Sequence, residues 1–238
     1  VHTSIATAII SGIIMLFIGL LLTKPLLRMM KTPEEIINLS SLYMQIYFLG
    51  MPANMLYNFG ASILRAAGDT RRPLFILSFA GVINVILNLI LVIVFNLSVA
   101  GVAIATITAE TISAFLILRI LNNTPGMLRL KWKLVKIHKS SLLEIVKIGL
   151  PAGVQGILFN ISNVLIQSSV NSFGPLVIAA NTASVAIEGF VNTSLNALYQ
   201  TALNFTSQNY GAKKFARIDK ILTLSLILSF ICGAFFGF

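Results

Sequence analysis

The chain has 238 residues, of which 57% are hydrophobic and only 10% charged, whereas a soluble domain is about a quarter charged, so water is not its main solvent. Its net charge of +10 is read as membrane topology rather than nucleic-acid binding, because basic residues on so apolar a chain collect in loops held on one side of a bilayer. One cysteine, Cys232, and two histidines, His2 and His138, form neither a disulfide framework nor a ligand cluster for zinc or haem.

Apolar runs with at most one charged residue predict seven helices, at residues 5–23, 36–64, 73–95, 98–118, 148–172, 176–208 and 221–238. Each is long enough for a hydrocarbon core of about 30 Å, which needs about 20 helical residues. The runs recur to the end of the chain, so they are spans and not a secretory signal. The predicted fold class is all-α, a polytopic transmembrane helix bundle. The second and sixth runs exceed the bilayer thickness at about 1.5 Å per residue, and must tilt, bend or protrude. Pro52 in the second and Pro151 near the start of the fifth each remove a backbone bond where a kink can form.

Lysine and arginine are retained on the cytoplasmic side, so the loops give an orientation. Arg65, Arg71 and Arg72 follow the second helix; Arg129, Lys131, Lys133, Lys136 and Lys139 follow the fourth; Lys213, Lys214 and Arg217 follow the sixth. These three connections are expected to be cytoplasmic. Residues 96–98 and 173–175 carry no base and are expected as outer turns. The first connection then faces outward, although Lys24, Arg28 and Lys31 outnumber Glu34 and Glu35. The longest linker, 122–142, alternates apolar and basic residues around Trp132, and its expected place is along the cytoplasmic headgroups. It divides the chain into segments 1–121 and 143–238.

A polar side chain in hydrocarbon is costly unless it faces protein or water. On the fifth helix Asn160, Asn163, Gln167 and Asn171 share one face at about 100° per residue. On the sixth, Asn181, Glu188, Asn192, Asn196, Gln200 and Asn204 follow mostly four-residue steps, and the row winds slowly around the helix. Asn84 and Asn88 repeat the pattern on the third. A single amide reads as interhelical hydrogen bonding, worth about 0.6 kcal/mol on average; rows on consecutive helices read as the wall of a wetted, ligand-lined cavity. Glu110 and Glu188 are the carboxylates in the middle of apolar runs. Hydrocarbon disfavours the charged form, so each is either a protonated structural group or a site that exchanges a proton or a cation. The GxxxG spacings at Gly149 and Gly153, and at Gly233 and Gly237, predict close helix packing.

The stretch GMPANMLYNFGASILRAAGDTRRPL resembles the fourth transmembrane helix and following loop of MATE (multidrug and toxic compound extrusion) transporters, and SFAGVINVILNLILVIVFNLSVAGVAIATITAE resembles the fifth and sixth. IGLPAGVQGILFNISNVLIQ is similar to the start of the family's second half, and TSQNYGAKK to the loop after its eighth helix. Essentially the whole chain is covered. The chain opens at Val1 without an initiator methionine and stops at Phe238 in an apolar run, so it is expected to comprise about helices three to nine of twelve, in two pseudo-symmetric lobes.

The resemblance implies a secondary active antiporter of the inner (plasma) membrane. It would export amphipathic or cationic drugs or toxic compounds in exchange for protons or sodium ions, by alternating access. The lipid bilayer, the missing helices of the same polypeptide and the small-molecule substrates are the expected partners, nucleic acid is not, and a monomer is expected. In the proton-coupled branch an asparagine and an aspartate one turn apart on the fifth helix, with a threonine on the sixth, form a site. The matching positions are Asn84, Asn88 and Thr106, with an asparagine where the aspartate would stand. Glu110, one turn beyond Thr106, is expected to supply the carboxylate. The sodium-coupled branch has a glutamate near Phe159 or Asn160, absent here, which leaves Glu188, with Asn192, and the row Asn160, Asn163 and Gln167 for the second lobe. The alternative is a flippase for lipid-linked saccharides, which would carry cations deep in its cleft to hold a pyrophosphate. With no nucleophile–base pair and no motif such as HExxH, the chain does not read as an enzyme.

Overall fold

The computed structural model describes residues 1–29, 34–171, 173 and 175–237; the side chains at 127, 164, 167, 168, 171, 175, 178, 179 and 237 are outside the description. Lys31 of the first connection, the helix ends Ser172 and Phe238, and the side chains of Gln167 and Asn171 therefore lie outside the described residues.

Among the described residues the fold is all-α, with eight helices: α1 (His2–Met29), α2 (Glu34–Leu49), α3 (Met51–Ala66), α4 (Arg71–Leu89), α5 (Ser98–Asn123), α6 (Lys139–Asn171), α7 (Pro175–Gly211) and α8 (Phe215–Gly237). Among the described residues five stretches are long and apolar enough to cross a membrane, His2–Met29, Arg71–Val94, Ser98–Asn123, Lys139–Asn163 and Phe215–Phe236. The sequence reading has seven. The second predicted helix breaks at Gly50 into α2 and α3, each 16 residues and short of a span by itself. The sixth corresponds to α7, 37 residues long, whose apolar first turns include side chains outside the description at 175, 178 and 179.

The break follows from Pro52, which has no N–H to offer the Phe48 carbonyl and whose ring crowds it. Gly50 takes up the change with φ −79° and ψ −11°, its N–H donating to the Tyr47 carbonyl at 3.0 Å. The C-terminal end of α4 closes differently, in a π-helical turn at Ile90–Val94 with the Phe95 N–H on the Ile90 carbonyl. The chain then reverses through Asn96 and Ser98, at φ 53° and 47°.

The chain forms two compact units, Val1–Ile145 and Val146–Phe238, with the boundary inside α6. In the first, α1 packs on α2 and α3, α3 packs on α5, and α4 packs on α5. Glycines set the closest approaches. A Cβ at Gly12 would stand 2.6 Å from the Pro52 Cα, and one at Gly60 would stand 3.0 Å from Ile117. Paired positions give the directions: Gly12 meets Pro52 and Gly19 meets Phe48, so α1 runs against α2 and α3, while Gly50 meets Ile107 and Gly60 meets Ile117, so α3 and α5 run together.

One end of this unit therefore gathers the start of α1, the end of α3, the start of α4 and the end of α5. Its buried core is there, with Ile5, Leu64, Ile76, Ile117 and Leu121 packed together. The linker caps it. Leu130 is fully buried in the same core, its N–H donating to the Leu121 carbonyl at 2.9 Å. The Lys131 N–H donates to His2 Nε2 at 3.1 Å, and the Thr3 hydroxyl donates to the Lys136 carbonyl at 3.4 Å. The linker thus packs on protein through Leu130 while Trp132 and Leu134 stay exposed. In the second unit α7 and α8 pack together, and a groove between them is lined by Ser194, Leu198, Leu228 and Phe235 among others.

A Cβ at Gly149, Gly153 or Gly233 meets nothing within 4 Å among the described residues, whereas close approaches are found at Gly12 and Gly60. Helical spacing alone does not say which face a neighbour covers. Replacing Gly12 with alanine drives a methyl into the backbone of α3 and is expected to destabilise the protein by about 1–3 kcal/mol, whereas Gly153→Ala is expected to be neutral or slightly stabilising. Thermal denaturation in detergent compares the two.

Candidate functional site

A cavity of about 470 Å³ opens in the first unit, further along the helices than the buried core, and its wall includes Asn54, Asn58, Asn84, Thr106 and Glu110. Three helices supply these groups. α3 brings Asn54 and Asn58 one turn apart, α4 brings Asn84, and α5 brings Thr106 and Glu110 one turn apart. The break at Gly50 starts α3 one turn before Asn54, and the missing side chain of Gly50 leaves room for α5. A Cβ there would lie 2.6 Å from Ile107 Cγ2 and 3.2 Å from Glu110 Oε2.

Two hydrogen-bond chains run into the cavity. In the first, Asn58 Nδ2 donates to Asn54 Oδ1 at 2.8 Å, and Asn54 Nδ2 donates to Glu110 Oε1 at 2.9 Å. In the second, Asn88 Nδ2 donates to Asn84 Oδ1 at 3.0 Å, Asn84 Nδ2 donates to the Thr106 hydroxyl at 3.4 Å, and that hydroxyl donates to the Val102 carbonyl at 3.0 Å. The first chain ends on a carboxylate and the second on a backbone carbonyl. Glu110 is half-buried, and among the described residues no lysine or arginine is in ion-pair contact with it. Asn88 Oδ1 is buried without a hydrogen-bond partner among the described residues.

The structure thus brings together four of the residues singled out from sequence, Asn84, Asn88, Thr106 and Glu110, the first, third and fourth lining the cavity directly. The residues in the second unit are arranged differently. Asn160 is exposed and donates to the Gly156 carbonyl of its own helix at 2.9 Å; Asn163 is exposed as well. Glu188 is exposed and accepts from Asn192, one turn on, at 3.4 Å. These contacts stay within single helices. Gln167 lies outside the described side chains.

Sequence reasoning missed Asn54 and Asn58. The signal was available, since they have the same four-residue spacing as Asn84 and Asn88 and lie in the stretch that carries the family resemblance. Tyr57, between them, turns into the core, where its hydroxyl donates to the Pro73 carbonyl at 3.0 Å.

The family described as MatE matches residues 1–90 and 151–238. The chain is 29% identical to the probable multidrug resistance protein YoeA of Bacillus subtilis, over 98% of this chain and 52% of the relative. It is 34% identical to the probable multidrug resistance protein YpnP of the same organism, over 84% of this chain and 44% of the relative. A crystal structure of MATE in the bent conformation superposes with a TM-score of 0.84 at 20% identity, covering 98% of this chain and 52% of that one. The chain spans about half the length of the curated relatives it matches.

The amide chain onto Glu110 is testable as a coupled pair. Asn54→Ala strips the donor from Glu110 and the acceptor from Asn58, and is expected to cost about 1–3 kcal/mol. Combined with Glu110→Ala it should cost less than the two single changes together, by about 0.5–3 kcal/mol. A double-mutant cycle of thermal melts reads this directly, and strict additivity would deny the contact any energetic weight.

Proposed function

The chain belongs to the MATE family of multi-pass membrane transporters, and on that premise we propose that it forms part of an ion-coupled exporter in which Glu110 is a coupling carboxylate. The proposed activity is export of amphipathic or cationic compounds in exchange for protons or sodium ions, with the cavity exposed alternately to the two sides of the membrane. The observation that carries this reading is a half-buried carboxylate on a membrane-spanning helix, facing a cavity, held by one amide and lacking a cationic partner among the described residues. Charge at such a position is compensated by a proton or by a bound cation. Either one changes the net charge of the cavity wall, which is the elementary requirement for exchanging an ion against a substrate.

Asn84 and Thr106 complete the wall as polar groups that orient a ligand among apolar ones, the usual composition of a small-molecule site. The orphan Asn88 Oδ1 supports the same reading, because a buried acceptor without a donor costs about 1–3 kcal/mol and a bound cation or a ligand N–H relieves that cost. Glu188, exposed on α7 beside Asn192, is proposed as the corresponding carboxylate of the second unit, with Asn160, Asn163 and Gln167 on α6 as polar wall. The flippase reading calls for cations deep in the cleft. The cation on the wall of this cavity is Arg65, in the last turn of α3 and bonded to Ser62 at 3.1 Å, a place at the rim. The basic end of the first unit, where the linker packs, is proposed to face the cytoplasm of a plasma membrane.

Efflux of ethidium from cells producing the full-length parent tests the proposal, with proton and sodium gradients collapsed separately. Wild-type efflux is expected to stop with one of the two gradients. Glu110→Gln is expected to lower gradient-driven efflux at least about tenfold, the scale of losing one charge-assisted interaction, at unchanged expression. Unchanged efflux in this variant would remove Glu110 from the mechanism, and Thr106→Ala is expected to lower efflux less.

A further inference from the structure

At the basic end of the first unit a second cavity, of about 420 Å³, lies between the start of α4 and the end of α5. Its wall has two kinds of surface. Arg72, Arg119 and Asn123 form a polar rim, and Ile76, Leu116 and Ile120 form an apolar wall. Neither guanidinium is buried. Arg72 uses Nε and its backbone N–H to reach Asp69, at 3.2 and 3.1 Å, which leaves its two Nη groups outside that contact. Arg119 is exposed and has no ion-pair partner among the described residues. With Asp69 counted, the rim keeps a net charge of +1 from these three groups.

Both walls belong to stretches apolar enough to cross a membrane, Arg71–Val94 and Ser98–Asn123, and both cations sit in the terminal turns of those stretches at one end. That depth is where the phosphates of a bilayer lie, and the apolar wall continues along the helices toward the acyl region. A guanidinium pair fits phosphate oxygens through paired N–H donors, and basic pockets between membrane helices take anionic headgroups in the same way. We propose that this groove is a phospholipid site, in which Arg72 and Arg119 hold the phosphate of an anionic lipid and Ile76, Leu116 and Ile120 receive the start of an acyl chain. The site is separate from the Glu110 cavity and does not depend on the export reading.

Native mass spectrometry of the detergent-purified protein tests it, with phosphatidylglycerol or phosphatidylcholine of the same acyl chains added in turn. The expected result is preferential retention of phosphatidylglycerol. Arg119→Gln and Arg72→Gln should each weaken that retention about fivefold, the factor that one cation beside an anionic headgroup is worth. Arg119→Lys should restore part of it, and Lys133→Gln, on the linker outside the groove, should leave it unchanged. Equal retention of the two lipids, or Arg119→Gln and Arg72→Gln both retaining phosphatidylglycerol as the wild type does, would overturn the proposal. So would displacement of the lipid by inorganic phosphate alone, which would make the groove a soluble-anion site. Arg119 is exposed, so its replacement is expected to leave the melting temperature unchanged; should it melt early, Arg72→Gln reads the same groove from the other wall.

Discussion

A carboxylate on an apolar helix must face protein or water, and the protein contact of Glu110 is Asn54, whose amide donates to it at 2.9 Å. The contact requires α3 and α5 to lie close over this turn. Gly50 permits it, because any side chain there would strike Ile107 and crowd the carboxylate. Pro52 permits it too, by interrupting the helical ladder so that α2 ends and α3 starts at Met51, three residues before Asn54. The same turn of chain, 50–54, therefore places the break, the close approach and the amide. Asn58 extends the arrangement by holding Asn54 Oδ1, which fixes which end of the Asn54 amide faces Glu110.

The first unit separates two tasks along its helices. At one end large aliphatic side chains and Leu130 of the linker close a buried core; further along, amides, a hydroxyl and a carboxylate line an open cavity. The core resists rearrangement because interiors pack like solids and register small volume changes. The cavity has room for a ligand and polar groups that can change partners. Three of the elements that meet in the core, α3, α4 and α5, also frame the cavity.

Charge follows the same axis. Arg65, Arg72 and Arg119 all fall at the core end of the first unit, and the linker that caps this end carries Arg129, Lys131, Lys133, Lys136 and Lys139. The linker is held by direct contacts, Leu130 in the core and Lys131 on His2, so its cations are displayed on a folded surface. A concentration of bases at one end is the feature on which the proposed orientation and the proposed lipid site both rest.

Composition and charge runs determined by themselves that this is an all-helical membrane protein and roughly where its helices lie, because the cost of polar groups in hydrocarbon acts on each residue separately. Family resemblance followed from local stretches such as NMLYNFGASILRAAGD for the same reason. Asn84, Asn88, Thr106 and Glu110 were legible since four-residue steps mark one helix face. What the tertiary structure decided is which faces meet. The pairing of Glu110 with Asn54 joins residues 56 apart in sequence, and no periodicity within one helix specifies a partner on another. The same ignorance of neighbours left the close approaches at Gly12, Gly50 and Gly60 unmarked in the sequence. It also explains why one uninterrupted apolar run became two helices: the proline was visible in the sequence, but the glycine that takes up the bend, and the helix it admits, are properties of the packed bundle.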